Sequence, residues 1–86
     1  MEEEISLGLG KPVTVCGSFY NDSFQLCYKG KNGSNIFDLT MIVGTAPMTV
    51  HLRCSDIGKR FSLNGKSFIL VKVSDEQMTL MYLKEV

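Results

Sequence analysis

A chain of 86 residues with 44% hydrophobic side chains is enough for one domain with a core, near the lower end of what folds without disulfides, a metal or a partner. Nine basic and nine acidic residues cancel, so net charge supplies no long-range attraction to nucleic acid or an anionic membrane. Three cysteines, none in a C-x-x-C pair, make a poor disulfide framework, and no run approaches the ~20 apolar residues of a membrane helix.

The start, "MEEEISLGLG", is acidic and lacks the basic region and apolar stretch of a signal peptide. With the unpaired cysteines this predicts a soluble, cytoplasmic protein, a single domain over 1–86 whose residues 1–4 are an acidic tail. Charge is unevenly spread: between Lys11 and Lys72 eight basic residues face three acids, Asp22, Asp38 and Asp56.

Almost every segment alternates with period two and is rich in β-branched or aromatic residues, which argues strand throughout. Ile5 to Leu9 reads as a first short strand, and from Val13 four strands run as a meander to Ser55. A two-residue turn at Asn21-Asp22 opposes Val15 to Tyr28 and Cys16 to Cys27. Asn32-Gly33 suits the two positive φ angles of a type I′ turn and opposes Tyr28 to Phe37 and Leu26 to Leu39. A loop from Gly44 to Pro47 then opposes Met41 to Val50, Leu39 to Leu52 and Phe37 to Cys54, with Asp38 facing Arg53 on the polar side.

Asn64-Gly65 turns the next hairpin, with Phe61 opposite Phe68 and Leu63 opposite Lys66. A turn at Asp75-Glu76 opposes Val73 to Met78, Val71 to Leu80 and Ile69 to Tyr82. The result is an all-β, antiparallel meander of about seven strands, with Ile5 to Leu9 as an eighth, forming a barrel-like domain or a two-sheet sandwich. The barrel is favoured because closure removes exposed edges.

The stretch "VHLRCS" holds the single histidine, His51, three residues from Cys54. On a strand that spacing sends the two side chains to opposite faces, so a Cys–His dyad is not expected: Cys54 belongs in the apolar layer and His51 outside. Cys16 and Cys27, opposed on one face, would stand ~4.5–5.5 Å apart and form a candidate redox pair; two sulfurs alone do not make a four-coordinate zinc site. "KGKNGSN" lacks the P-loop pattern and "SLGLGKP" has no helix after its glycines. No pair of acids lies on an apolar wall. Neither a cofactor nor an enzymatic activity is therefore expected.

Lys29, Lys31, Lys59, Arg60 and Lys66, with Tyr20 as an outward aromatic, could track a nucleic-acid backbone; a small-barrel nucleic-acid binder is the alternative function. The stronger signal lies in the terminal hairpins, where both faces are apolar. If Ile69, Val71, Val73, Met78, Leu80 and Tyr82 form the core, then Phe61, Phe68, Leu70, Met81 and Leu83 need cover, from the N-terminal segment Ile5 to Leu9 or from a partner or second copy. "IGKRFSLNGKSFILVKVSDEQMTLMYL" resembles the closing hairpins of many small β modules, including those of secretion and pilus assembly proteins, without a motif specific to one family. The expected function is a non-enzymatic protein–protein interaction or assembly module, with self-association into a homo-oligomer as one form of it.

Overall fold

The computed structural model describes residues 3–16, 23–33, 35–74 and 79–86. Period-two patterning becomes strand over most of them. In chain order the strands are β1 (Glu3–Gly8), β2 (Val13–Val15), β3 (Phe24–Lys31), β4 (Ile36–Val43) and β5 (Ala46–Arg53), then a 3-10 turn (Cys54–Asp56), β6 (Arg60–Leu63), β7 (Lys66–Ser74) and β8 (Leu80–Glu85).

These strands make two antiparallel sheets of four, ordered β1-β8-β7-β6 and β2-β3-β4-β5. The architecture is an all-β sandwich, and the expected barrel closure does not occur. Its cause is β1, which pairs with β8 from Glu3↔Glu85 to Gly8↔Leu80 and not with β2. The chain then passes between sheets just after Gly8. Leu9 takes the Thr79 carbonyl with its N–H at 2.9 Å, and Gly10 takes the Tyr28 carbonyl at 2.8 Å. Leu9 also packs on Gly30, where a Cβ would stand 3.1 Å from the Leu9 Cδ1 and φ is +106°. Only glycine meets both conditions without strain.

The inner faces supply the core. Leu7, Phe68, Leu70, Met81 and Leu83 come from one sheet, and Leu26, Tyr28, Phe37 and Leu39 from the other, all fully or almost fully buried. Full burial of such a side chain stabilises by ~1.5–3 kcal/mol, so this layer dominates the stability of a chain this short.

Three predicted registers shift in the sheet of β2 to β5. In the β4–β5 hairpin Gly44 (φ 63) takes the first turn position, so Val43 pairs with Ala46, Met41 with Met48, Leu39 with Val50 and Phe37 with Leu52. The loop is two residues shorter than predicted because Pro47 lies within β5 rather than in the turn. Proline is admitted there because β5 is an edge strand and the missing N–H faces outward. Asp38 therefore opposes His51, and Arg53 opposes Ile36.

In β3–β4, Tyr28 pairs with Leu39 and Gly30 with Asp38, so Lys29 is an extra bulged residue, and the loop closes through the Asn32 N–H on the Ile36 carbonyl at 2.7 Å. In β2–β3, Val13 pairs with Leu26 and Val15 with Phe24; the predicted Asn21-Asp22 turn lies outside the described residues, as do the Asp75-Glu76 turn, Met78 and Tyr20. The Asn64-Gly65 turn occurs as predicted, with positive φ at both residues and Phe61 opposite Phe68.

Two further contacts fix the sandwich. The Lys66 ammonium pairs with Glu85 at 2.6 Å and donates to the Cys16 carbonyl, tying the β6–β7 turn to the end of β2. At the far end of β5 the Arg53 N–H donates to the Asp56 carboxylate at 2.8 Å. Pro47 at one end and this bond at the other shorten the free edge that β5 offers to another strand.

Candidate functional site

The terminal hairpins decide which apolar face is free. β7 carries a bulge: Leu70 pairs with Leu83, yet Lys72 pairs with Tyr82, leaving Val71 as the extra residue. Before the bulge Phe68 and Leu70 point inward; after it, Val73 opposes Met81 and packs on the core. The predicted pairs Val71–Leu80 and Ile69–Tyr82 are replaced by Ser74–Leu80 and Ile69–Lys84. This corrects the expected contact surface. Phe68, Leu70, Met81 and Leu83 are fully buried and Phe61 packs against them, its ring 6.0 Å from that of Phe68. The cover is intramolecular: Leu7 of β1 and the inner face of the second sheet.

What remains open is the opposite side of the same sheet. Its side chains follow from the register, because residues opposed in a pleated sheet share a face. One row runs Arg60–Ile69–Lys84–Glu4 across all four strands, and the next runs Lys72–Tyr82–Ser6. The Lys72 ammonium stands 4.9 Å from the Tyr82 ring centroid, a distance suited to cation–π attraction. Val71 is 37% exposed, and Ile57, bridged to Leu70 beside it, is 43% exposed. The Gly58 N–H holds this segment to the Leu70 carbonyl at 2.7 Å. Three cations and one carboxylate thus surround Ile69 and Tyr82, with Val71 adjoining.

Sequence reasoning missed this arrangement, although one signal was present. Under strict alternation Lys72 shares a face with Phe68 and Leu70, whereas Lys84 shares one with Tyr82. Lysine is almost never fully buried, so a lysine on each side of a two-faced hairpin contradicts either choice of core. A bulge between Leu70 and Lys72 removes the contradiction by moving Lys72 to the side of Lys84 and Arg60.

The remaining candidates are dispersed. Cys16 lies beyond the β2–β3 pairing and is exposed, Cys27 is buried opposite Thr40, and both are free; they are not cross-strand neighbours, so the candidate redox pair does not form. Cys54, expected in the core, is exposed at the start of the 3-10 turn, and Leu52 takes the expected place opposite Phe37. It lines an open recess of about 490 Å³ with Asn35, Ile36, Arg53 and Ser55, and its thiol lies 3.8 Å from the Asn35 Oδ1.

His51 faces outward as expected, with its Nδ1 2.6 Å from the Asp38 Oδ1 and the other Asp38 oxygen accepting from Asn32 at 3.1 Å. Of the five basic candidates, Lys66 is held by Glu85 and Cys16. Lys29 and Lys31 lie on β3 of one sheet, while Lys59 and Arg60 lie at β6 of the other. Among the described residues no three of His, Cys, Asp and Glu gather where a metal could sit, and no helix is long and apolar enough to cross a membrane.

No family model, curated protein or solved structure matches the chain.

Proposed function

We propose that this domain is a non-enzymatic interaction or assembly module. It works in a reducing, cytoplasmic setting and docks a protein partner on the outer face of the β1-β8-β7-β6 sheet. The supporting observation is that the terminal hairpins keep apolar side chains on the side turned away from the core: Ile69 and Tyr82 sit among cations, with Val71 exposed beside them. Contacts of this composition, an apolar or aromatic centre within a polar rim, are typical of protein interfaces.

Nucleic-acid binding is less well supported. The five cations first considered fall on different sheets, and Lys66 is already engaged. Tyr82 is the one aromatic on the outer face among the described residues, and Lys72 covers its ring, leaving little stacking platform.

The test is co-purification from the native host of the wild-type chain and of Val71→Asp and Ile69→Asp, each verified as folded by circular dichroism. A protein retained by the wild type and lost by both variants supports docking on this face. Equal retention by all three chains moves the function elsewhere, and a copy of the chain itself as the retained protein identifies the module as a homo-oligomer.

A further inference from the structure

Resting on that docking face, we infer that its partner is acidic: a protein segment presenting carboxylates around an apolar or aromatic side chain. The register places Arg60 and Lys84 on either side of Ile69 in one row, and Lys72 beside Tyr82 in the next. Glu4 is the one carboxylate in these rows, and it stands at the edge of the sheet next to Lys84. Arg60 and Lys72 therefore border the apolar centre with no carboxylate opposed to either of them in these rows, among the described residues. Arginine and lysine lay their methylene stems along apolar surface while their charged heads stay in water. Here the Lys72 ammonium lies over Tyr82 while Val71 stays exposed.

A partner that buried Ile69 and Val71 would enclose the Arg60 guanidinium and the Lys72 ammonium too. Desolvating them without counter-charges is costly. Carboxylates placed opposite Arg60 and Lys72 offset that cost and form charge-assisted hydrogen bonds. A basic partner is excluded by the same charges, since like-charge contacts across an interface are strongly unfavourable. Phosphates would satisfy the cations as well, but a single strand also needs open aromatic faces, and Lys72 occupies that of Tyr82.

Three probes separate these cases, each titrated into the isotope-labelled chain and followed by amide chemical shifts. They are a synthetic peptide with phenylalanine flanked by glutamates, the same peptide with lysines, and a single-stranded oligothymidylate. The glutamate peptide is expected to shift the signals of Arg60, Ile69, Val71, Lys72 and Tyr82. Its binding should weaken several-fold between about 50 and about 300 mM salt, as exposed charges are screened over roughly 10 Å. Arg60→Glu/Lys72→Glu should weaken it by about tenfold or more, equivalent to ~1.4 kcal/mol. Lys72→Arg should preserve it, and Lys29→Glu/Lys31→Glu, on the other sheet, should leave it unchanged.

Absence of shifts with the glutamate peptide, or equal shifts with the lysine peptide, overturns the acidic-partner inference while leaving the docking face to be judged by Val71→Asp in the co-purification. Tighter binding of the oligothymidylate on the same residues overturns both and makes the face a nucleic-acid site.

Discussion

Leu70 and Val71 are consecutive, and the bulge in β7 gives them opposite fates. Leu70 has no exposed surface, whereas Val71 is 37% exposed. Truncating a fully buried leucine to alanine costs ~2–5 kcal/mol, the transfer of the lost methyl groups plus the cavity left behind. Leu70 pairs with Leu83 on one side and bridges Ile57 on the other, so its surroundings cannot collapse freely, and about 3 kcal/mol is expected.

A domain of 86 residues has roughly 4–13 kcal/mol of stability in total, at ~0.05–0.15 kcal/mol per residue. Leu70→Ala should therefore fold but melt ~12–24 °C lower, at ~4–8 °C per kcal/mol for a domain of this size. Val71→Ala removes methyl groups that are already partly in water and should cost about 1 kcal/mol or less. The charged pair is sharper: Leu70→Asp should not fold, and Val71→Asp should fold with a small loss. Urea titration followed by circular dichroism checks the set, with a constant slope certifying that the unfolding transition is unchanged. Equal losses for Leu70→Ala and Val71→Ala would refute the bulge, and with it the assignment of Lys72 and Tyr82 to one outer face.

The Lys66 corner gives a second expectation. Lys66 and Glu85 retain only 13% and 21% of their side-chain exposure, so Lys66→Ala strands a largely desolvated carboxylate and removes a donor from the Cys16 carbonyl. A loss of about 2 kcal/mol is expected, below the ~3–5 kcal/mol of a fully buried pair. Lys66→Met/Glu85→Leu should cost less than Lys66→Ala alone, and a single-variant loss under about 0.5 kcal/mol in thermal melts would show the pair to be an ordinary surface contact. For the cysteines, iodoacetamide should modify Cys16 and Cys54 in the native protein and spare Cys27 until denaturation, following their exposure. Peptide mapping after mild oxidation should find no Cys16–Cys27 bond; finding one in folded protein would contradict the β2–β3 register.

Much of the fold is legible because period two is a strong constraint. The β4–β5 register moves by two residues from expectation, and a step of two returns every side chain to its own face. Phe37, Leu39 and Met41 are therefore core residues in either register. The Asn64-Gly65 hairpin is read correctly because both residues accept positive φ and only one flanking register aligns Phe61 with Phe68. Bulges are not legible this way. Lys29 and Val71 each add one residue, and a single insertion exchanges faces for everything beyond it. Cys54 is lost from the core for a different reason: Asp56 captures the Arg53 N–H, ending β5 in a 3-10 turn where alternation predicted another inward residue. The choice between the two apolar faces of β7 and β8 depends on cover from β1 and the opposing sheet, contacts distant in sequence.

Those distant contacts also determine where function can reside. Had the terminal hairpins been half apolar and half charged, the sandwich would bury one side and solvate the other, leaving no reason to look further. Instead β1 is recruited to β8 to complete the inner face, and its Leu7 is buried with Leu70, Met81 and Leu83. The core needs no contribution from Val71, which stays partly exposed. The bulge at Val71 also brings Lys72 over Tyr82 and beside the Arg60–Ile69–Lys84 row. A lysine left on the Leu70 side would have been buried unpaired, at a cost of several kcal/mol. One inserted residue thus makes the core wholly apolar and gathers the cations around the outer patch. Core formation alone accounts for the first effect. An exposed apolar centre ringed by those same cations is what a charge-selective docking face requires.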